Sequence, residues 1–137
     1  MQQADNPANP YIDPFAVTET IRQGDTLLYL LNFADGAGPI DITGYQFVFT
    51  VKRQRTDPDS AALSQSFLTA IPGTQSQGGL LAFEAITTAQ SSLIPPEQRY
   101  VFDLRYMTTA HQVGTLAEGE LNVRQPISQN LLPPLAT

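Results

Sequence analysis

The chain has no cysteine, no tryptophan and a single histidine among its 137 residues. Without cysteine, disulfide bonds and thiolate metal sites are excluded. One histidine also rules out a metal site built from several histidines of the same chain. Cysteine usage therefore carries no information about the redox compartment in which the protein works.

Basic residues are scarce as well. Seven Lys and Arg residues stand against 13 Asp and Glu, for a formal net charge of −6, and the basic residues form no run. Because nucleic acids and anionic membranes are bound through clustered cations, neither is an expected partner. No apolar run approaches the roughly 20 residues that span a bilayer. The polar, proline-rich first residues lack the apolar core of a signal peptide, so we expect a protein that is made and kept in the cytoplasm or leaves it by another route, such as inside a particle.

Turn-forming residues are abundant, with eleven prolines and nine glycines. Between the turns, short stretches of alternating apolar and polar residues predict about seven strands, at the spacing found in β-sandwiches. The predicted fold class is all-β, an Ig-like antiparallel β-sandwich with one short helix and extended N- and C-terminal arms. The predicted strands cover residues 15–22, 26–34, 45–53, 61–71, 80–86, 99–107 and 113–124.

Side-chain alternation predicts which residues enter the core. Strand 45–53 and strand 99–107 alternate aromatic or aliphatic residues with polar ones, as half-buried strands do. Strand 26–34 is apolar on both faces, so we expect an inner strand covered on both sides. Gly119 is expected to mark a β-bulge in the last strand. The residues expected to be buried between two sheets are Leu31, Phe33, Phe47, Phe49, Phe83, Phe102 and Leu104.

One helix is predicted after the strand that ends at residue 86. Thr87 can accept a hydrogen bond from the backbone of Gln90 while the Gln90 side chain reaches back, which is the pattern of a capping box. The helix must end before Pro95. Residues 72–79, rich in Gly, Ser and Gln, are expected to form a flexible loop.

Two arms flank the predicted domain of residues 15–124. Residues 1–14 and 125–137 hold six prolines between them, and such segments bury too little surface alone to offset the entropy lost on ordering. Both nevertheless carry apolar side chains that a lone domain leaves in water. The residues expected to bind other subunits are Tyr11, Ile12, Leu131, Leu132 and Leu135.

Several polar groups of the sequence are candidate chemical sites. Asp57 and Asp59 can help bind a hard cation, but no third carboxylate follows at calcium-loop spacing, and Asp-Pro favours a turn. Asp103 and Arg105 lie on one strand face, where a substrate clamp and a solvent-exposed pair are the alternatives. His111 falls in a predicted turn without a nucleophile motif around it.

Two further sets of residues have both a possible chemical role and an ordinary structural one. Glu118 and Glu120 share a strand face, as an acid/base pair or as ordinary polar alternation. Six strand aromatics can form a sugar-stacking platform, although such residues are usually the core of a sandwich. No glycine-rich loop has phosphate-binding spacing. We expect no enzyme activity and no cofactor or metal. The six aromatics are Tyr45, Phe47, Phe49, Tyr100, Phe102 and Tyr106.

The order of elements from Val17 to Val123 resembles a known family. The segments that carry the resemblance are Gly24–Thr26, Pro39–Tyr45, Gly79–Leu81, Thr87–Gln90, Ile94–Pro96, Tyr100–Leu104 and Thr115–Val123. Together they are similar to the small β-sandwich domains of tailed-phage virion proteins, such as upper-baseplate N-terminal domains and fibre-attachment modules. The chain departs from that pattern at turn 108–112, which lacks Asp-Gly, and at Glu97, where a glycine is common.

The resemblance implies a non-enzymatic structural component of a tailed-phage particle, in its tail, baseplate or fibre attachment. It implies other virion structural proteins as partners, assembly in the host cytoplasm and a final location in the virion. The apolar arms add the expectation of a homo-oligomer. The alternatives are a capsid decoration or head-fibre protein with the same sandwich, and a carbohydrate- or receptor-binding module.

Overall fold

Two layers of β-structure enclose one apolar core in the computed structural model, which describes residues 15–127. The strands, in chain order, are β1 (Phe15–Arg22), β2 (Leu27–Asn32), β3 (Ala34–Asp35), β4 (Gly38–Pro39), β5 (Gln46–Lys52), β6 (Ser64–Thr69), β7 (Leu80–Ile86), β8 (Gln98–Met107) and β9 (Val113–Arg124). The helices are α1 (Thr74–Gln77) and α2 (Thr88–Leu93), with a 3-10 turn at Asp59–Ala61.

All seven predicted strands are present, and the all-β sandwich is confirmed. The bounds of β1, β7 and β9 agree with the sequence prediction, and the other ends differ by at most three residues. The short β3–β4 hairpin was not predicted. The predicted arms lie outside the described residues, except for Gln125 to Ile127.

The larger layer is a five-stranded sheet in the order β1-β9-β8-β5-β6. One pairing differs from the antiparallel arrangement that we expected, because β1 runs parallel to β9. Parallel neighbours need a long connection, and here the whole of the chain between Arg22 and Val113 separates the two strands. The remaining pairs in this sheet are antiparallel.

The second layer contains a two-stranded antiparallel ribbon, β2–β7, which we call the ribbon. Its inward side chains meet the five-stranded sheet through aromatic pairs. The rings of Tyr29 and Phe49 lie 5.8 Å apart between centroids, and those of Phe83 and Phe47 lie 6.5 Å apart. The Tyr29 hydroxyl also donates a hydrogen bond of 2.9 Å to Glu19 on β1. Burial, reinforced by this bond, raises the pKa of Tyr29 above its usual range.

The core contains every residue that the sequence placed there. Leu31, Phe33, Phe47, Phe49, Phe83, Phe102 and Leu104 are all buried. Phe33 occupies a central place, because its ring contacts those of Tyr45, Phe47 and Tyr106 edge-on. Burial of such large aromatic side chains dominates the stabilisation of a small sandwich.

The predicted capping box at α2 is confirmed. Thr87 Oγ1 accepts from the backbone of Gln90 at 3.1 Å, and Gln90 Oε1 accepts from the backbone of Thr87 at 2.8 Å. Residues 72–79 were wrongly expected to be only a loop, since they include α1, where buried Ser76 hydrogen-bonds to the carbonyls of Ile71 and Gly73. Neither helix in the described chain is long and apolar enough to cross a membrane.

Gly119 does not mark a bulge, contrary to the prediction. The register between β8 and β9 shifts at Leu116, where Leu104 faces Ala117 and Arg105 faces Thr115. Gly119 has a different role. A Cβ at this position would lie 1.8 Å from the carbonyl oxygen of Val17, so only glycine allows β1 to approach β9 this closely.

Backbone strain occurs at both places where the sequence departs from the pattern of the domains that it resembles, Glu97 and turn 108–112. In the described chain, the non-glycine residues with positive φ are Glu97, at +60°, and His111, at +64°. These are the position where a glycine is common in the family and a position in the turn that lacks Asp-Gly. In both places a residue with a Cβ adopts the left-handed conformation that glycine adopts freely.

Candidate functional site

The outer side of the ribbon carries four exposed apolar residues, with Asn32 and Glu84 exposed at its two ends. Leu28 and Leu30 project from β2 with 55% and 61% of their surface exposed, and Leu80 on the paired strand is 47% exposed. Ala82 lies opposite Leu30, and it is exposed too. We call these four residues the ribbon face. Strand β2 was wrongly expected to be covered on both sides, because the described chain places nothing over this surface.

A signal for this exposure existed in the sequence. In β7 the alternation places Ala82 and Glu84 opposite the buried Phe83 and Ala85, so one side of that strand faces water. A strand paired with it must share the exposed side. The four leucines of β2 hide this exposed side, because two of them face the solvent and two face the core, so the sequence of β2 shows no alternation of apolar and polar residues.

Other large apolar side chains are exposed along the molecule. Phe67 on β6 is 72% exposed, and Ile71 follows it beyond the strand. Leu93 at the end of α2, Val113 and Ile127 are exposed too. Single exposed apolar residues are normal, but the ribbon face differs from them because its members are contiguous.

The outer face of the five-stranded sheet carries a polar cleft of about 210 Å³. Lys52 spans it, with Nζ 2.7 Å from Asp59 Oδ1 and 2.8 Å from the carbonyl oxygen of Asp57. The hydrogen bond and the charge of Lys52 hold the pKa of the Asp59 carboxyl below its usual value. The Asp59 carboxylate thus pairs with a lysine, and the Asp57 carboxylate accepts a hydrogen bond of 3.2 Å from the backbone of Gln54 within the same turn.

Asp103 and Arg105 line the same cleft from β8. Burial raises the pKa of the Asp103 carboxyl, although Arg105 and Lys52 oppose the shift. Glu118 lies opposite Asp103 in the register and pairs with Arg55 at 3.3 Å. The sequence predicted the shared face of Asp103 and Arg105. It gave no signal that Lys52 at the end of β5 and Arg55 in the 53–63 loop lie beside them.

The remaining candidate residues do not form a catalytic arrangement. Glu120 pairs with Arg99 at 3.5 Å, so Glu118 and Glu120 face separate arginines. His111 is exposed in its turn. Among residues 15–127, no group of three or more His, Asp or Glu side chains could hold a metal ion.

The six aromatic residues that were candidates for a sugar-stacking platform are all buried in the core. Among the aromatics from Val17 to Ile127, Phe67 is the exposed one. The predicted partner-binding residues Tyr11, Ile12, Leu131, Leu132 and Leu135 lie outside the described residues.

Comparison with known proteins gives matches of structure only. No family model and no curated protein matches the sequence. Among solved structures, the fold is similar to the N-terminal domain of phage TP901-1 ORF48, with a TM-score of 0.47 and 10% identity over 90% of this chain and 95% of that one. It is also similar to Drosophila OTK extracellular domains 3–5, with a TM-score of 0.37 and 15% identity over 88% of this chain and 37% of that one.

A phage protein domain is thus among the structures that this fold is similar to, as the sequence resemblance predicted. At these TM-scores and identities, neither likeness bears on function or partners. The all-β architecture follows from the strands and sheets of the chain itself.

Proposed function

We propose that this protein is a non-enzymatic structural component of a tailed-phage particle, in its tail, baseplate or fibre attachment, and that it acts through protein–protein assembly. The ribbon face is the observation that carries the proposal. It is a contiguous apolar surface on the outside of an otherwise well-packed sandwich. Surfaces of this kind mark sites of protein–protein contact. The phage context comes from the sequence resemblance between Val17 and Val123.

The charged residues favour assembly over catalysis. Asp59, Glu118 and Glu120 each pair with a basic side chain, on the open face of a sheet. A catalytic site needs a nucleophile, a base and an orienting group within reach of one another, and the described chain does not bring three such groups together. We expect no turnover of peptidoglycan or polysaccharide. Turnover that Glu118→Gln or His111→Ala abolishes would contradict this.

The arms complete the proposed mechanism. The sandwich presents a rigid body, while residues 1–14 and 125–137 reach neighbouring subunits through Tyr11, Ile12, Leu131, Leu132 and Leu135. Prolines lower the entropy that an extended segment loses when it binds. The partners proposed are other virion structural proteins and further copies of this chain, in a homo-oligomer or ring.

The test is to locate the chain in purified particles. Antibody labelling of particles by electron microscopy should place it at the tail or the baseplate. Labelling on the head surface would instead support the alternative of a capsid decoration or head-fibre protein. Its absence from purified particles would contradict both.

A truncated chain tests the arms. Deleting residues 129–137 should leave a folded sandwich, with an unchanged circular dichroism spectrum, that fails to enter particles. If the truncated chain is incorporated at the normal level, the C-terminal arm is passive and assembly depends on the sandwich alone.

A further inference from the structure

We propose that the ribbon face binds the C-terminal arm of a second copy of this chain, through Leu131, Leu132 and Leu135. The inference rests on the proposed function, in which this arm is an assembly segment. It names the surface that receives the arm, and it implies that copies link to one another by exchange of their arms.

The ribbon face has the size and the open edge that such a segment needs. A strand of six residues is about 20 Å long, and the five residues Leu131 to Leu135 span about 15 Å in the extended conformation that prolines favour. In the described chain β2 pairs only with β7, so its other edge has no strand partner.

The composition of the C-terminal arm matches this surface. Residues 125–137 contain no charged side chain. The ribbon face is apolar, and the charged residue beside it is Glu84, which also faces outward. Residues 1–14 carry Asp5 and Asp13, so they would add like charge near Glu84. An uncharged arm also allows two molecules with a net charge of −6 each to make contact without bringing their bodies together.

The spacing of the leucines suits an extended segment that lies along β2. Leu132 and Leu135 flank Pro133 and Pro134. In a polyproline II segment, residues three apart project from the same side, about 9 Å from each other. Leu28 and Leu30 project from one side of β2, about 7 Å apart. Two leucines of the arm can therefore alternate with two leucines of the ribbon.

The end of β9 favours a second copy over the same molecule. The backbone at Arg124 accepts from Gln23, and Gln125 donates to Glu97 Oε2 at 2.8 Å, so the chain is held to its own sandwich up to Gln125. Two residues later, Ile127 is fully exposed. Pro126 keeps the preceding residue extended. The chain therefore points away from its own sandwich after Gln125.

Cysteine cross-linking tests the contact directly, because the chain has no native cysteine. Leu30→Cys and Leu132→Cys are made as separate single variants of the full chain, mixed, and treated with a short bis-maleimide. We expect a covalent dimer of one copy of each variant. The control mixes Leu132→Cys with Arg55→Cys, whose side chain is exposed on the opposite face of the sandwich, and it should give none.

The same chemistry distinguishes a second copy from the same molecule. A chain with both Leu30→Cys and Leu132→Cys should form linear and closed multimers. A cross-linked monomer, in a yield independent of protein concentration, would overturn the proposal by placing the arm on its own ribbon. Equal dimer yields with Arg55→Cys and with Leu30→Cys would overturn it too.

A charge on the ribbon face supplies a second measurement. Leu30→Asp should weaken self-association, measured by light scattering, at least about tenfold, because it replaces an apolar contact with the arm by a charge that must lose its hydration. Thr20→Asp adds the same charge to the outer face of the five-stranded sheet and should leave association unchanged. If both variants associate like the parent, the ribbon is not the docking surface. Particle location is measured separately, so that result would leave the proposed function standing.

Discussion

The two outer faces of this sandwich are built from similar strands but meet water differently. On the five-stranded sheet, acidic and basic side chains alternate and pair, as Lys52 does with Asp59 and Arg55 with Glu118. On the outer side of the ribbon, the exposed Leu28 and Leu30 follow one another along β2, and their polar neighbours Asn32 and Glu84 carry no opposite charge to pair with.

The contrast shows where binding energy can come from. Burying charged side chains removes their hydration, which offsets most of what their ion pairs contribute, so a partner gains little by covering them. Apolar surface removed from water contributes about 25 cal/mol per Å². A partner would therefore gain more free energy by covering the ribbon face than by covering the charged face.

The largest effect is expected in the core that the two layers share. Phe102 is buried, and its ring stacks on that of Phe49 at 5.1 Å between centroids. Phe102→Ala should lower the free energy of unfolding by about 3–5 kcal/mol, measured by chemical denaturation. Phe67→Ala removes the same side chain from the exposed end of the sheet and should change it by less than about 0.5 kcal/mol. Similar losses in both variants would contradict the assignment of inner and outer faces.

The next largest loss of stability is expected where β1 packs against β9 in the five-stranded sheet. Gly119→Ala places a Cβ against the backbone of Val17, so β1 must shift. We expect a loss of about 1–3 kcal/mol, as for an overpacked site, with faster amide hydrogen exchange along β1. Gly36→Ala is the control, because its Cβ would meet nothing within 4 Å. If amide hydrogens of β1 exchange as slowly in Gly119→Ala as in the parent, β1 tolerates the added Cβ and the prediction is wrong.

The sequence predicted the sandwich well because alternation and turns are local signals. Strand β8 shows this, since Tyr100, Phe102, Leu104 and Tyr106 are buried where the pattern placed them. The capping box at Thr87 is also a local signal. The parallel pairing of β1 with β9 could not be predicted, because it depends on which edge a distant strand finds.

The candidate surfaces were harder to predict for the same reason. Leu30 and Leu31 are identical residues, and only the position of the other layer decides that Leu31 is buried and Leu30 exposed. Gly119 was expected to be at a bulge, but its role depends on the approach of Val17, which is about a hundred residues earlier in the chain. Contacts between distant segments leave no trace in local periodicity.

Two carboxyl groups of the polar cleft should respond to pH in opposite ways. Burial raises the pKa of Asp103 in the folded protein, so its ionised form lowers stability at neutral pH. Asp103→Asn should therefore raise the free energy of unfolding at pH 7, by less than about 1 kcal/mol. The gain should shrink as the pH falls through the raised pKa, and should vanish below the unfolded value near 3.8.

Asp59→Asn is the matched variant. Lys52 lowers the pKa of Asp59 in the folded protein, so the ionised carboxylate adds stability above the unfolded pKa, and this is lost as the pH falls through the folded one. The substitution should therefore destabilise the protein at neutral pH and have no effect in strong acid. Denaturation curves over a pH series measure both. The same sign of effect in the two variants would contradict the different environments described for them.

The smallest change in the free energy of unfolding is expected at the turn that joins β8 to β9 in the five-stranded sheet. His111 has a φ of +64°, which strains a residue with a Cβ by roughly 1 kcal/mol. Glycine relieves that strain, but its greater freedom in the unfolded chain offsets part of the gain. His111→Gly should therefore raise the free energy of unfolding by about 0.5 kcal/mol, measured by denaturation. His111→Ala keeps the Cβ and should give no gain, so equal stabilisation by both would show that strain is not the cause. Glu97→Gly relieves the same strain but loses the hydrogen bond from Gln125 and the contact with Arg124, so its gain should be cancelled.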